Sequence, residues 1–258
     1  MRRSLGLVAA IFVVSLKREM AFRQNLAVSF LQAGLVTATS FTTISIVFSQ
    51  TDLVAGWTRE EMLAVLGFYL VIDGILATFV EPNLLWFSGF VRDGKLDDLL
   101  LKPVPALLLV TLGSHSPLGL AQVVLGGMVI WIGVAGMSTG ASLVLALGML
   151  GVGIVLAWAY RTAIALLALW FPSLTLDVLF SSIWQFGRFP VAIFEQPFRL
   201  VFTWVIPLGL ISTLPAVALM RGPGAGQLVG ATLFGVGASV GIGVMWRLGM
   251  RRYTGATS

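Results

Sequence analysis

The amino-acid sequence predicts an all-α polytopic membrane protein. Of its 258 residues, 58% are apolar and only 10% are charged, against about 25% charged in a soluble domain. Mean hydropathy is +0.98. The apolar residues gather in long runs almost free of charge, and a helix of about 20 such residues crosses a bilayer. A chain of this length allows roughly six crossings and leaves no room for a nucleotide-binding domain beside them. Composition therefore excludes a water-soluble globular protein, a disordered chain and a disulfide scaffold.

Each element follows from its own stretch of sequence. Residues 1–24 begin with Arg2 and Arg3 before an apolar run and end with Lys17, Arg18, Glu19 and Arg23. Met1–Leu16 resembles a signal peptide, but charged residues follow where a small-residue cleavage site belongs. The segment is expected to be retained as an interfacial helix. Residues 26–48 carry no charge and make a first span. Residues 62–80 make a second, interrupted only by Asp73. Residues 105–135 hold a third. Residues 141–160 begin a fourth, whose apolar run continues past Arg161 to Trp170. Pro172 then breaks the helix. A shorter stretch from Leu174 to about Phe189 contains Asp177. Residues 200–220 are uncharged but carry Pro207 and Pro215, both read as helix breaks. Residues 226–246 make a clean last span.

Seven apolar stretches leave parity to be decided, and Lys/Arg asymmetry bears on it. With both termini inside and 200–220 entering and leaving on the outer side, Lys and Arg divide 12 inside to 4 outside. Seven crossings give 10 to 6. A rival with six, in which 173–199 stays on the inner surface and 200–220 crosses, gives 14 to 2; charge alone does not reject it. The net charge of +5 thus reads as topology, with the lipid bilayer as partner and no nucleic acid. A re-entrant hairpin at 200–220 requires its non-helical turn to be buried in protein or wet, because lipid cannot satisfy bare amides and carbonyls.

The longest inside loop, residues 81–105, is the most informative segment: EPNLLWFSGFVRDGKLDDLLLKPVP. Val91, Leu96, Leu99 and Leu100 are expected on one face of a short helix, with Arg92, Lys95, Asp97 and Asp98 toward water. Gly94 lets the chain turn before that helix. Lys102-Pro103 ends it, since the residue before proline is pushed out of helical geometry. An amphipathic helix on such a loop either lies on lipid or docks on a soluble partner. Asp97 and Asp98 disfavour an anionic lipid surface, so a protein partner is expected.

At this loop the sequence resembles a known family. VRDGKLDDLLLKP is similar to the G-x-L-D-x-L-L-x-[KR]-P signature of bacterial type-2 ABC-transporter permeases, the small six-span subfamily without an ATPase domain. FRQN (Phe22–Asn25), RFPVAIF (Arg188–Phe194) and IPLGLISTLPA (Ile206–Ala216) resemble further segments of that family in order and spacing. Phe189 stands where tyrosine is frequent. The resemblance implies that the loop couples through residues 91–103, Asp93 among them, to a separate ATPase subunit, present in two copies and binding ATP and Mg2+. It implies that 190–222, with Pro190, Phe194, Pro207 and Pro215, is a re-entrant cap on the extracytoplasmic side. It also implies a second permease subunit, identical or paralogous, and an exporter in the bacterial cytoplasmic membrane with both termini cytoplasmic.

The chain itself carries little reactive chemistry. It has no cysteine and one histidine, His115, which argues against thiolate or histidine-cluster metal sites. It has no G-x-x-x-x-G-K-[ST], so it is not a P-loop ATPase. No catalytic residue and no bound cofactor or metal is expected. Asp73, Arg161 and Asp177 are the candidate pathway residues, because an intramembrane charge is costly. Asp73 either meets a cationic substrate or a proton, or forms an internal hydrogen bond or ion pair, with Arg161 as one partner. Asp177 is either functional or simply wet. A proton-coupled secondary transporter using Asp73 and Asp177 is the alternative reading, and a membrane scaffold that recruits a partner through the loop is a third. Gly230, Gly235, Gly237, Gly241 and Gly243 are expected to form a packing face on the last span.

Overall fold

A computed structural model describes residues 23–135, 140–173 and 176–253. The expected interfacial helix lies outside the described residues, apart from its last two, which open the first helix. The described residues are helical, with no strand among them beyond an isolated bridge between Val54 and Trp57.

Helix α1 spans Arg23–Phe48. Its Thr37, Thr39, Ser40 and Thr43 hydroxyls donate back to carbonyls four residues earlier. Polar side chains so satisfied are tolerable in an apolar span. A tight turn with Ala55 and Gly56 at positive φ leads to α2, Arg59–Phe79. Thr58 and Glu61 close a reciprocal capping box there, satisfying two donors of the first turn. The loop that follows carries three short helices, α3 (Glu81–Leu84), α4 (Phe87–Arg92) and α5 (Leu96–Leu100).

The third expected span is broken. Helix α6 (Ala106–Leu112) and helix α7 (Leu120–Gly133, with a tight turn at Pro117–Gly119) meet at 54°. Asn83 holds the break together: its Nδ2 donates to the carbonyls of Phe79, Thr111 and Ser114 at 2.9, 3.2 and 2.9 Å, and its Oδ1 accepts from Ser114 N–H at 2.6 Å. The Ser116 N–H donates to Thr78 O at 2.8 Å. Buried backbone groups released by a kink need such partners.

Helix α8 runs Gly140–Leu166. The fifth expected span contains only a short helix, α9 (Asp177–Trp184), with a tighter turn to Arg188. Two helical runs, Phe198–Val205 and Gly209–Met220, meet at 70° across Ile206–Leu208. Pro207 sits at that break, as expected. Pro215 does not break the chain: it lies at the start of the α-helical part, Leu214–Met220, after a wide π-type turn at Gly209–Thr213. Proline is tolerated in such a first turn, and the wider winding before it already departs from the i→i−4 ladder. Helix α10, Ala225–Met250, closes the fold. By length and composition α1, α2, α8 and α10 can each cross a membrane, and the two bent pairs raise the number to six if each is one span.

Contacts along α2 order the other elements by height. Helix α7 runs antiparallel to it, with Gly119 against Gly74, Gly126 against Gly67 and Gly133 against Glu60. The packing glycines are therefore these. On α10 only Gly235 of the expected five touches a neighbour, Val152, while Gly230, Gly237, Gly241 and Gly243 face open space. The chain from Asp177 climbs α2 from its Phe79 end. Asp177 shares Arg161 with Glu81, Trp184 reaches Asp73, Gly187 lies on Tyr69, and Phe189, Ile193 and Phe194 gather with Met62. The next two runs dip and return. Arg199 donates to the carbonyls of Ala192 and Phe194, Ile211 lies against Gly153 near Ile72, and Arg221 ends on Glu61. Gly249 packs on Leu169 and Trp170, which brings the end of α10 back to the Phe79 end.

Candidate functional site

Three polar clusters and one exposed loop surface concentrate the chemistry. The first cluster is centred on Arg161, which is 1% exposed. Its Nε donates to Glu81 Oε1 at 2.7 Å and its Nη2 to Glu81 Oε2 at 3.0 Å, a planar fork on both oxygens. The same Nη2 donates to Asp177 Oδ1 at 2.7 Å. The guanidinium also lies 5.0 Å from the Phe180 ring centroid. Glu81 opens the loop, Arg161 belongs to α8 and Asp177 is the first residue of α9, so one guanidinium ties three elements. Removing both carboxylates leaves a buried unpaired charge, at a cost of about 3–5 kcal/mol.

Asp73 belongs to a second cluster. Its Oδ1 accepts from Trp184 Nε1 at 2.7 Å. An Asp73–Arg161 pair is thus not formed. Asp73 stands two turns of α2 away from Glu81, and Arg161 serves the Glu81 end. Trp184 stacks on Phe180, with centroids 5.5 Å apart, and packs on Tyr69 at 5.8 Å. Arg188 places its guanidinium 5.6 Å from the Tyr69 ring centroid. At the far end of α2, Arg221 forks onto both Glu61 oxygens, donates to Gly56 O and covers the Trp57 ring at 4.5 Å. Ion pairing with Glu61 raises the Arg221 pKa further above its ordinary value.

The loop surface differs from its expected form in one respect. Val91 and Leu96 are buried and Leu99 half-buried, but Leu100 is not on that face. Gly94 at φ +70° divides the segment into α4 and α5, and α5 ends at Leu100. Leu100 points outward with Leu101, which is 86% exposed. Leu85, Trp86 and Phe90 are exposed on the same loop. Arg92, Asp93, Lys95, Lys102 and Pro103 are also exposed, while Asp97 is half-buried. Arg92 and Lys95 both reach Asp93. Beside these residues a cleft of about 500 Å3 opens between Trp86, Phe90, Leu99, Lys102 and the break at Gly113–Ser116.

In the remaining segment Pro190 is buried and precedes a tight turn at Val191–Ile193. Phe194 packs edge-on against Phe186 and Phe202. The sequence reading did not single out Glu81, Trp184, Asn83 or the Glu61–Arg221 pair. Glu81-Pro82-Asn83 at the mouth of a span carried a signal, since an acid and an amide there must find partners. For Trp184 there was none, because its acceptor lies 111 residues away.

No curated protein and no solved structure matches the chain. A family model, described as ABC-2 family transporter protein, matches residues 35–257. That match takes in every described helix from the middle of α1 onward, with the broken third span, all three clusters and the loop. The chain belongs to the ABC-2 family of transporter proteins, as a multi-pass membrane component.

Proposed function

We propose that the chain is the permease subunit of an ATP-driven exporter, and that it works as a dimer with an identical or paralogous copy. ATP and Mg2+ are bound by a separate ATPase, which docks on loop 81–105. The observation that carries this reading is the loop surface itself. Leu85, Trp86, Phe90, Leu100 and Leu101 are exposed apolar side chains on a short loop, and buried Leu84, Phe87, Val91 and Leu96 hold that loop against the helices. Clustered exposed apolar side chains mark an interaction site, and aromatic anchors dominate such interfaces.

The same proposal has six crossings: α1, α2, the α6–α7 pair, α8, the ascent from Asp177 to Phe194, and α10. The runs 198–220 form a re-entrant hairpin on the extracytoplasmic side. The height order along α2 supports this, since Arg199 and Arg221 lie toward its Arg59 end and Ile211 near its middle. Both described ends of the chain lie at the Phe79 end with the loop, which agrees with a cytoplasmic, Lys/Arg-rich side. The proton-coupled alternative has no such observation in its favour. Asp73 and Asp177 are engaged by different partners at heights about 12 Å apart by helical rise.

The test is affinity purification of the full chain from its native membrane, with identification of what accompanies it. A P-loop ATPase that is retained by the wild type and lost on Leu101→Asp supports the reading. Leu96→Asp is unsuitable, because Leu96 is fully buried and its loss disturbs the loop itself. Purification of the chain alone from gently solubilised membrane refutes the docking role.

A further inference from the structure

We propose that Glu81, Arg161, Asp177, Phe180, Trp184 and Asp73 form one mechanical line from the docking loop to mid-height of the bundle, with Trp184 as the positioning residue at its upper end. The inference rests on the reading that loop 81–105 docks an ATPase. Helix α9 is held at two heights, below by Arg161 of α8 and above by Asp73 of α2. The lower attachment is ionic, through Arg161 to Glu81 and Asp177, whose carboxylate side chains are 25% and 34% exposed. The upper attachment is the indole N–H of Trp184 on Asp73, with Trp184 only 5% exposed.

The lower attachment can be redistributed. Arg161 Nη2 serves both carboxylates at once, while its Nη1 is buried with no hydrogen-bond partner. A displacement of Glu81 therefore alters the hold on Asp177, and the guanidinium has an unused donor with which to follow either acid. Glu81 is the first residue of the docking loop, so a partner that pulls on the loop acts there first. Asp177 is the first residue of α9, so its displacement is felt by the whole helix. Phe180, one turn on, lies under the guanidinium and stacks on Trp184 with planes 21° apart. The upper attachment is dry and gives way least, so α9 tilts about Trp184 when the lower one changes. A contiguous network with a redistributable link is the physical form that coupling between sites takes.

The chain has no cysteine, which makes a direct test available. Ser182 points outward from α9. The variant Ser182→Cys is spin-labelled and purified in complex with its ATPase, and the mobility of the label is measured without nucleotide and with ATP and vanadate. The expected result is a nucleotide-dependent change in mobility that is lost in Asp177→Asn and in Trp184→Phe, although both variants still retain the ATPase. Trp184→Phe keeps an aromatic ring beside Phe180 and removes the N–H donor together with the second ring of the indole. Survival of the full change in either variant overturns the line, as does the absence of any change in the parent complex. Failure of the parent chain to retain an ATPase is a separate result, and overturns the docking reading on which the line rests.

Discussion

The crossing of α2 and α7 allows a sharp test of how the bundle is held. Gly67 and Gly74 on α2 meet Gly126 and Gly119 on α7, each pair separated by seven residues along its own helix. A Cβ built on Gly126 would lie 2.7 Å from Gly67 O and 2.8 Å from Val71 N. Comfortable contact for carbon is about 3.5–4.0 Å, and the obstructing atoms are backbone, so the helices must move apart by about 1 Å. Overpacking of this kind costs about 1–3 kcal/mol. Gly→Ala also gains up to about 1 kcal/mol of helix propensity, which masks part of the loss. Gly241→Ala on α10 supplies the control, because nothing lies within 4 Å of a Cβ there. Both variants receive the same propensity gain, so their difference isolates the clash. Gly126→Ala should unfold below Gly241→Ala by roughly 2–4 °C for each kcal/mol of that 1–3 kcal/mol, read by thermal unfolding of detergent-solubilised protein. Equal midpoints for the two would refute backbone contact as the basis of the α2–α7 interface.

Other consequences are read in the same assay. Leu96→Ala, at a fully buried position, should cost about 2–5 kcal/mol; Leu101→Ala should change stability by no more than about 0.5 kcal/mol, yet weaken ATPase retention measured by co-purification. Asn83→Asp keeps the acceptor for Ser114 N–H but cannot donate to three carbonyls. It should destabilise by about 1–3 kcal/mol and open the 113–116 break to proteolysis. Arg221→Lys removes the fork on Glu61, since a lysine cannot reproduce two parallel bonds. Arg221 is 41% exposed at its side chain, so the loss should be near 1 kcal/mol, with faster proteolytic nicking at Gly222–Gly224 as its local sign.

What the sequence made legible was what depends on one segment at a time. Charge-free runs located the long helices, because hydropathy is a local property. Gly94, Lys102-Pro103 and Pro207 marked turns, because φ restrictions act on single residues. What stayed hidden depends on two segments meeting. The break at Gly113–Ser116 lies in an uncharged run, and the amide that makes it tolerable, Asn83, belongs to another element. Glycines are more frequent on α10 than on the α2–α7 pair, and composition does not tell which ones face a neighbour. Arg161 was one of the partners left open for Asp73. Its partners are instead the acids at its own height, and height is set by packing.

The acids along α2 tie it to its neighbours. The apolar window of α2 is 78% buried, against 22%, 33% and 17% for those of α1, α8 and α10. Helix α2 is therefore the central post, and an acid on it is costly unless another element answers it. Glu61 is answered by Arg221 at the end of the 198–220 runs, Asp73 by Trp184 of α9, and Glu81, just past its end, by Arg161 of α8. Each acid holds a different element, and each holds it through side chains rather than continuous backbone. The close α2–α7 interface, where backbone meets backbone at the glycines, resists relative movement, whereas the three acid contacts are directional bonds that break or exchange singly. Motion in this fold is then expected between α2–α7 as one body and α9, α8 and the 198–220 runs as the others. The pair Gly126→Ala and Trp184→Phe separates the two classes of contact: both should lower stability, the second by about 1–3 kcal/mol because Asp73 loses its indole donor, but only the second should alter movement.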